Sequence, residues 1–265
     1  MTTFCTLFSS SSGNAAYLGT DGGALLIDCG MSGVQVLNAI RGAGLRPEDL
    51  RAILITHEHS DHIKGAGVLS RKLNLPIYAT EGTWAAMETS LGPVPAHHRI
   101  CITAGESFFL NDCEIAPFAI PHDAADPVGY RIFTPQASIA TATDMGYFAP
   151  EVENALSGAD IVLLESNHDP DMLRQNPNYP SHLKSRILGR KGHLSNESGA
   201  QAAVRLAQAG TRHILLGHLS GENNTPVLAY HTSRNALEAA GARLDLDITL
   251  HVASRSQAGC LYAMK

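Results

Sequence analysis

The sequence predicts an α/β protein, one domain with sheets inside and helices outside, and three observations carry that expectation. Short apolar runs of strand length recur along the chain and stop at a titratable residue. Ala52-Ile53-Leu54-Ile55 precedes His57, Ile115 to Ile120 precedes His122, Ser138 to Thr143 precedes Asp144, Ile161 to Leu164 precedes Glu165, and Ile214 to Gly217 precedes His218. Helically spaced apolar positions lie between several of these runs. No Pro/Gly-rich linker, charge block or short-period repeat divides the chain, so residues 1–265 read as a single domain.

Bulk properties narrow the class. A chain of 265 residues buries a substantial core, and 44% hydrophobic with 17% charged residues is the composition of an ordinary globular enzyme. The net charge of −6 argues against a protein that coats nucleic acid nonspecifically, and leaves room for a local basic groove. Cys5, Cys29, Cys101, Cys113 and Cys260 are dispersed, odd in number and without a CxxC pair, which fits reduced thiols better than a disulfide framework. There is no Lys or Arg before Arg41 and no long apolar segment near the start. Both facts argue against a signal peptide and a membrane span, and a cytoplasmic location is expected.

Residues 4–8 and 15–18 read as a hairpin joined by Ser9-Ser10-Ser11-Ser12-Gly13-Asn14, whose composition is that of a flexible turn. Ala24 to Gly30 is a buried strand ending in a carboxylate, Asp28, and a glycine. Val34, Val36, Leu37 and Ile40 suit a helix closed by Gly42 or Gly44. A helix is expected from Ile63 to Leu73 with Gly65 and Gly67 in its first turns. Glycine costs helix stability there, so close backbone packing near the site is the reason for it. From Ile77 to Ile120 the chain reads as short strands alternating with turns. Further strands cover Tyr130–Phe133, 138–143, 161–164 and 214–218. Ser195 or Asn196 caps a helix whose apolar face includes Ala200, Ala203, Val204 and Ala207 and which ends near Gly210.

The densest chemistry lies in Thr56-His57-Glu58-His59-Ser60-Asp61-His62. Each neutral imidazole offers a lone pair to a borderline metal, and Asp61 adds a hard anionic oxygen. One metal would not use all four groups comfortably. In an extended turn His57 and His59 point the same way, while Asp61 and His62 belong to the next turn of chain and project elsewhere. Two adjacent metals, each taking two ligands from this loop, follow from that spacing. A lone histidine is usually a satisfied side chain, whereas a multi-ligand spacing directly after a strand is far more specific.

Followed in order by His122, Asp144 and His218, this loop resembles the metallo-β-lactamase fold superfamily across nearly the whole chain. The resemblance implies an αβ/βα four-layer sandwich with two divalent metal ions at one edge, Zn or Mn, with Fe also admitted. It assigns His57, His59 and His122 to one ion, Asp61, His62 and His218 to the other, and Asp144 as the bridge. His59 stands where the redox-active diiron branch has Glu, which favours hydrolysis. No cysteine occupies a ligand position, unlike the di-zinc β-lactamases. Leu164 to His168 and Gly192 to Ser195 look like the Glu and His elements of the tRNA 3′-processing nucleases. Together with Ser9 to Asn14, Asp169, Asn196 and Leu219 to Asn224, they resemble the YycJ/WalJ-like bacterial proteins, associated with DNA exonuclease activity. The span from Asp144 to His218 is too short for the extra domain of the β-CASP nucleases. A Gly/Pro-rich arm like that of the tRNA enzymes is absent from the sequence.

By this resemblance a metal-bridging hydroxide is the nucleophile, since paired metals lower the pKa of a shared water from roughly 15.7 towards about 7. A sugar alkoxide leaves poorly and needs a general acid. His193 is the candidate, with Glu165 accepting its other N–H and fixing the tautomer, and Asp61 is grouped with them as catalytic. The expectation is a phosphodiester hydrolase acting on DNA ends. The alternative is a thioester or lactone hydrolase of the same fold, whose leaving group departs without a dedicated acid, or a metal-binding partner protein without turnover. Residues 172–196 hold Arg174, Lys184, Arg186, Arg190 and Lys191 and no Asp or Glu, which makes Lys184 and Arg186 candidate phosphate contacts against the plainer reading of a solvated surface. Ser10, Ser12 and Asn14 are candidate donors to a terminal phosphate, and His168 either touches substrate or supports a ligand.

Overall fold

The computed structural model describes residues 1–259 and 261–264. The first half of the chain builds β1 (Thr2–Ser10), β2 (Gly13–Thr20), β3 (Gly23–Ile27), α1 (Gly33–Gly42), β4 (Leu50–Leu54), α2 (Ser60–Ile63), α3 (Ala66–Leu73), β5 (Ile77–Thr80), α4 (Glu81–Leu91) and β6 (Arg99–Ile102). The second half builds β7 (Phe108–Leu110), β8 (Cys113–Ala119), β9 (Val128–Phe133), β10 (Ser138–Ala142), α5 (Pro150–Leu156) and β11 (Ile161–Glu165). It continues through α6 (Pro170–Gln175), α7 (Ser181–Leu188), α8 (Asn196–Gln208), β12 (His213–Gly217), α9 (Pro226–Ala239), β13 (Thr249–Val252) and β14 (Leu261–Met264). Two seven-stranded sheets result, in the orders β14-β1-β2-β3-β4-β5-β6 and β13-β12-β11-β10-β9-β8-β7.

Alternation along the strands sets the layers. Ala24 and Leu26 of β3 face one core and Leu25 and Ile27 face another, as side chains two apart must. In β12 Ile214 and Leu216 pack outward while Leu215 packs inward. Leu25, Leu54, Tyr130, Ile139 and Leu215 fill the space between the sheets. The outer face of the first sheet is covered by α1, α3 and α4 through Val36, Leu69 and Trp84. The outer face of the second is covered by α5, α8 and α9 through Val152, Leu206 and Leu237. Strands buried on both faces need continuous apolar runs, which is the pattern the sequence shows. The order of layers is α, β, β, α, the αβ/βα sandwich.

Three stretches that were read from the sequence come out differently. The helix expected from Ile63 to Leu73 is two, α2 and α3, broken at Lys64 and Gly65. Within Ile77 to Ile120, where strands alternating with turns were expected, α4 intervenes. Thr80 caps it by accepting from the Thr83 N–H, and Gly92 ends it at φ 69°. Ala85, Ala86, Met87 and Glu88 favour helix, but their apolar positions form no clean stripe, so periodicity alone does not reveal it. The hairpin strands also run further than 4–8 and 15–18, leaving only Ser11 and Ser12 as the turn. Among the described residues no helix is long and apolar enough to cross a membrane.

The glycines at the break do what close packing requires. A Cβ on Gly65 would collide with the Met31 carbonyl, and one on Gly67 with the Leu91 carbonyl. Gly30 is tighter still, because its missing side chain is the space taken by the Asp61 carbonyl oxygen. Its N–H donates to the Asn14 carbonyl at 2.7 Å, and the neighbouring Cys29 N–H donates to the His62 carbonyl at 2.7 Å. The Cys29–His62 bond thus pins the histidine loop to the end of β3 through the backbone. Gly30→Ala is therefore expected to destabilise by about 1–3 kcal/mol, the scale of overpacking. Gly42→Ala, at the end of α1 with nothing within 4 Å of its Cβ, is expected to be neutral or mildly stabilising. Denaturant unfolding of the two variants checks the contrast, and equal effects would contradict it.

Candidate active site

The site forms where strands of both sheets end. The loop after β4 carries His57 to His62, the segment after β8 carries His122, and β10, β11 and β12 deliver Asp144, Glu165 and His218. His59 caps α2 with extended backbone, so Asp61 and His62 enter a helical turn while His57 and His59 remain in the extended approach. His57 Nε2 is 3.1 Å from His59 Nδ1, and His122 Nε2 is 3.3 Å from the same atom. On the other side, Asp61 Oδ2 is 3.6 Å from both His62 Nε2 and His218 Nε2. Asp144 lies between the two groups. Its Oδ2 is 3.3 Å from His62 Nε2, and its Oδ1 is 3.5 Å from His218 Nε2 and 3.8 Å from His122 Nε2. The structure thus brings together all seven residues read as ligands. They fall into overlapping sets, His57 with His59 and His122, His57 with His62 and Asp144, and Asp61 with His62 and His218.

The imidazoles are oriented from behind. His62 Nδ1 donates to Asp28 Oδ2 at 2.8 Å, and His218 Nδ1 donates to Glu165 Oε1 at 2.9 Å. His57 Nδ1 lies 3.0 Å from the Thr56 hydroxyl, and His122 Nδ1 lies 3.3 Å from the Gly192 carbonyl. In each case Nδ1 is engaged and Nε2 faces the centre, which fixes ring direction and tautomer. Asp28 is further held by the Thr56 N–H and hydroxyl at 2.9 and 3.1 Å. Asp28 and Thr56 hold rings of this cluster, and sequence reasoning gave them no role. A carboxylate closing the strand next to the histidine loop was the available signal.

Three of these residues adopt left-handed backbone: Asp28 at φ 59°, Asp144 at φ 63° and His218 at φ 57°. Each follows the end of a strand, and the reversal turns its side chain out of the sheet's alternation and into the cleft. For a non-glycine residue this conformation costs on the order of 1–3 kcal/mol. Local bonds hold it. The His218 N–H donates to Ser9 Oγ at 2.9 Å, and the Met145 N–H donates to Glu165 Oε2 at 2.9 Å.

Electrostatics follow from burying so many charges together. Burial alone would raise the Asp144 carboxyl, but His218 and His62 outweigh it and hold the group well below the carboxylate range. Burial raises Glu165 too, yet the His193 charge and hydrogen bond bring it down to about 2. Burial would lower His218, and the surrounding carboxylates, Asp144 foremost, push it up to about 10. His62 is likewise raised against burial, by Asp28, Asp144 and Asp61. His57 and His122 are lowered, by burial first.

The remaining sequence candidates separate clearly. His193 lines the cleft with Nδ1 donating to Glu165 Oε1 at 2.8 Å and 3.7 Å from Asp144 Oδ1. Glu165 is fully buried and acts through the imidazoles it holds, so it is a positioning group. Ser10 and Asn14 are buried, the Ser10 N–H donating to Asn14 Oδ1 at 3.1 Å and Asn14 Nδ2 to the Ser10 carbonyl at 3.0 Å, while Ser10 Oγ accepts from the Ser12 N–H at 3.2 Å. Asn14 Nδ2 also lies 3.1 Å from His62 Nε2, which ties the serine-rich turn to the ligands. Ser12 is exposed, and the residue of this turn that lines the cleft is Ser11. His168 is 1% exposed, and its ring nitrogens have no hydrogen-bond partner among the described residues. Burial lowers it to about 4, and it does not reach the cleft surface. Arg186 lines the cleft and pairs with Asp123, whereas Lys184 donates to the Arg174 carbonyl at 2.7 Å.

Residues 24–219 match the model of the beta-lactamase superfamily domain. The chain belongs to that superfamily. Within it, the chain is 43% identical over 247 residues to Exodeoxyribonuclease WalJ of Streptococcus pneumoniae serotype 2, covering 92% of this chain and 91% of that one. It is 42% identical over 238 residues to Exodeoxyribonuclease YycJ of Bacillus anthracis, covering 90% of each. These relatives put this superfamily member in the YycJ/WalJ-like branch, and it is a metal-dependent hydrolase. Among solved structures, Zn(2+)-bound PqqB from Methylobacterium extorquens superposes with a TM-score of 0.73 at 19% identity, over 97% of this chain and 99% of that one. The metallo-beta-lactamase fold protein YhfI from Bacillus subtilis gives 0.72 at 17% identity, over 98% and 99%. At those identities the likeness is one of fold.

Asp28→Ala removes the acceptor that fixes His62. Zinc affinity measured by chelator competition is expected to fall about 10–100-fold, the scale of losing such a support. Unchanged affinity would show that His62 needs no orientation.

Proposed function

We infer that the chain is a dinuclear metal-dependent phosphodiesterase acting on DNA ends, an exodeoxyribonuclease working in the cytosol as one domain. The observation that carries this is the pairing of His193 with the buried carboxylate of Glu165 at the lip of the ligand cluster. A hydrolase that expels a thiolate has no use for such a group, while one that expels a sugar alkoxide needs it. The names carried by the relatives at 42–43% identity supply the substrate class.

The residues present fit metal ions. Asp144 Oδ2 and His218 Nε2 are buried and without a hydrogen-bond partner among the described residues, an arrangement that costs free energy unless a cation completes it. His57, His59 and His122 would hold one ion, Asp61, His62 and His218 a second, and Asp144 would face both. The nitrogen and oxygen donor set suits Zn or Mn and admits Fe. When bound, such ions make a water molecule acidic enough to ionise near neutral pH and neutralise phosphate charge.

The chain's own residues handle the leaving group. With Nδ1–H committed to Glu165, His193 presents Nε2 to the cleft, and the proton on it passes to the departing oxygen. Glu165, with a pKa of about 2, stays ionised across neutral pH and keeps that tautomer in place. Ser11 and Arg186 line the same opening, where a hydroxyl and a cation meet an anionic backbone.

The test is 5′-labelled duplex DNA incubated with the purified protein and Mn²⁺ or Zn²⁺. Mononucleotide release is expected, and His193→Ala should lower it about 10²–10⁴-fold, the usual worth of a positioned proton donor, with metal content retained. Inertness toward DNA alongside thioester cleavage would replace this reading with the small-molecule one. A second expectation concerns pH. His62 and His218 are raised, so in the metal-free protein they are protonated near neutrality and a metal ion must displace those protons. Affinity should rise with pH through neutrality, with proton release on binding seen by calorimetry in buffers of different ionisation enthalpy.

A further inference from the structure

Beside the metal cleft lies a second cavity of about 160 Å³ that shares Ser11, Arg186 and His193 with it. Its walls differ in kind. One is apolar and made by Tyr179, Leu183 and Ile187, the last two one turn apart on α7. The other is polar and includes Ser11 and Asn167. Asn167 is 3% exposed and held in place, its Nδ2 donating to the His218 carbonyl at 2.8 Å and lying 3.5 Å from Ser11 Oγ.

The apolar wall has no packing duty to explain it. No residue of α7 is buried. The helix is fastened by polar contacts instead: Lys184 Nζ to the Arg174 carbonyl, the His193 N–H to the Ile187 carbonyl at 3.0 Å, and the Arg186–Asp123 ion pair. A Cβ on Gly192 would strike the Ile187 carbonyl, so the glycine is what lets the end of α7 close against the cleft. Tyr179, Leu183 and Ile187 are left half-buried against an opening beside the proton donor.

On the reading of the site as a nuclease, we propose that this cavity receives the nucleoside of the terminal nucleotide, with Tyr179, Leu183 and Ile187 against the base. Three features select that occupant. An aromatic ring with two branched aliphatic side chains offers a flat apolar surface to a π-face of any base. Asn167 and Ser11 offer hydrogen bonds at the opposite edge. The cavity is small and joins the metal cleft at Ser11, Arg186 and His193, so it suits one terminal base with its sugar at the opening and not a longer piece of chain. Arg186 lies at the junction of the two cavities, where the phosphate joined to that nucleoside would pass, and exchanges its Asp123 partner for it. Tyr179, Leu183 and Ile187 are then specificity-determining residues that favour an end over an internal position.

The metal-loaded protein tests this without turnover. Affinities for 2′-deoxyadenosine 5′-monophosphate and for 2-deoxyribose 5-phosphate, which share sugar and phosphate, are compared by calorimetry. The cavity requires the nucleotide to bind at least tenfold more tightly. Tyr179→Ala and Leu183→Ala should each shrink that ratio several-fold while leaving the sugar phosphate's affinity in place, and Tyr179→Phe should restore it. Leu183 lies on α7, which buries no residue, and Tyr179 lies in the loop just before it and is only half-buried, so these variants are expected to keep the fold, which their thermal unfolding checks. A wild-type ratio near one, or a ratio unmoved by both alanine variants, overturns the assignment. The ratio is read apart from duplex digestion, so failure of this assignment is distinguishable from failure of the nuclease reading on which it rests.

Discussion

Glu165 is a carboxylate with no solvent exposure and four donors around it: the imidazoles of His193 and His218 and the backbone N–H groups of Met145 and Leu194. Burying such a charge is expensive unless every lone pair is answered, and here they are. The consequence is geometric. One side chain at the end of β11 sets the ring of His218 after β12, the ring of His193 before α8, and the backbone just past Asp144. Removing any one donor would leave an ionised group unbalanced in the interior, so these parts keep their relative positions together.

The same economy appears on the first sheet, where Asp28 answers three donors from Thr56 and His62. Each half of the sandwich therefore contributes a buried acid that aims a histidine, and both acids sit at the carboxyl ends of strands. Loops at strand ends are free to carry function because the sheet behind them is rigid. Left-handed backbone at Asp28, Asp144 and His218 is the local device that turns a strand-end residue toward the shared cleft.

Much of this was legible in the residues. Apolar runs that ended at His57, His122, Asp144, Glu165 and His218 marked both the strands and the site, because a doubly buried strand and a polar terminus leave unmistakable composition. The bipartite character of the His57–His62 loop was also readable, since extended chain and helix send side chains in different directions. What escaped notice depended on three-dimensional context. The helix Glu81–Leu91 lacks a clean apolar stripe. The pairing of Asp28 with His62 joins the end of β3 to α2, and the choice of Ser11 over Ser10 and Ser12 depends on how the tight turn between β1 and β2 sits against the cleft. The strand Leu261–Met264, which completes the first sheet by pairing with β1, has too little pattern to be read locally.

The ligand set has one more property worth drawing out. His57, His59, Asp61 and His62 come from the first sheet's half of the chain, and His122, Asp144 and His218 come from the second's. Any ion held by members of both groups is a rivet through the seam of the sandwich. It would join distant parts of the polypeptide much as a cross-link does, shrinking the freedom of the unfolded chain relative to the folded one. Loading such an ion would then also stabilise the fold, and its scarcity would be felt first as a loosening between the two halves.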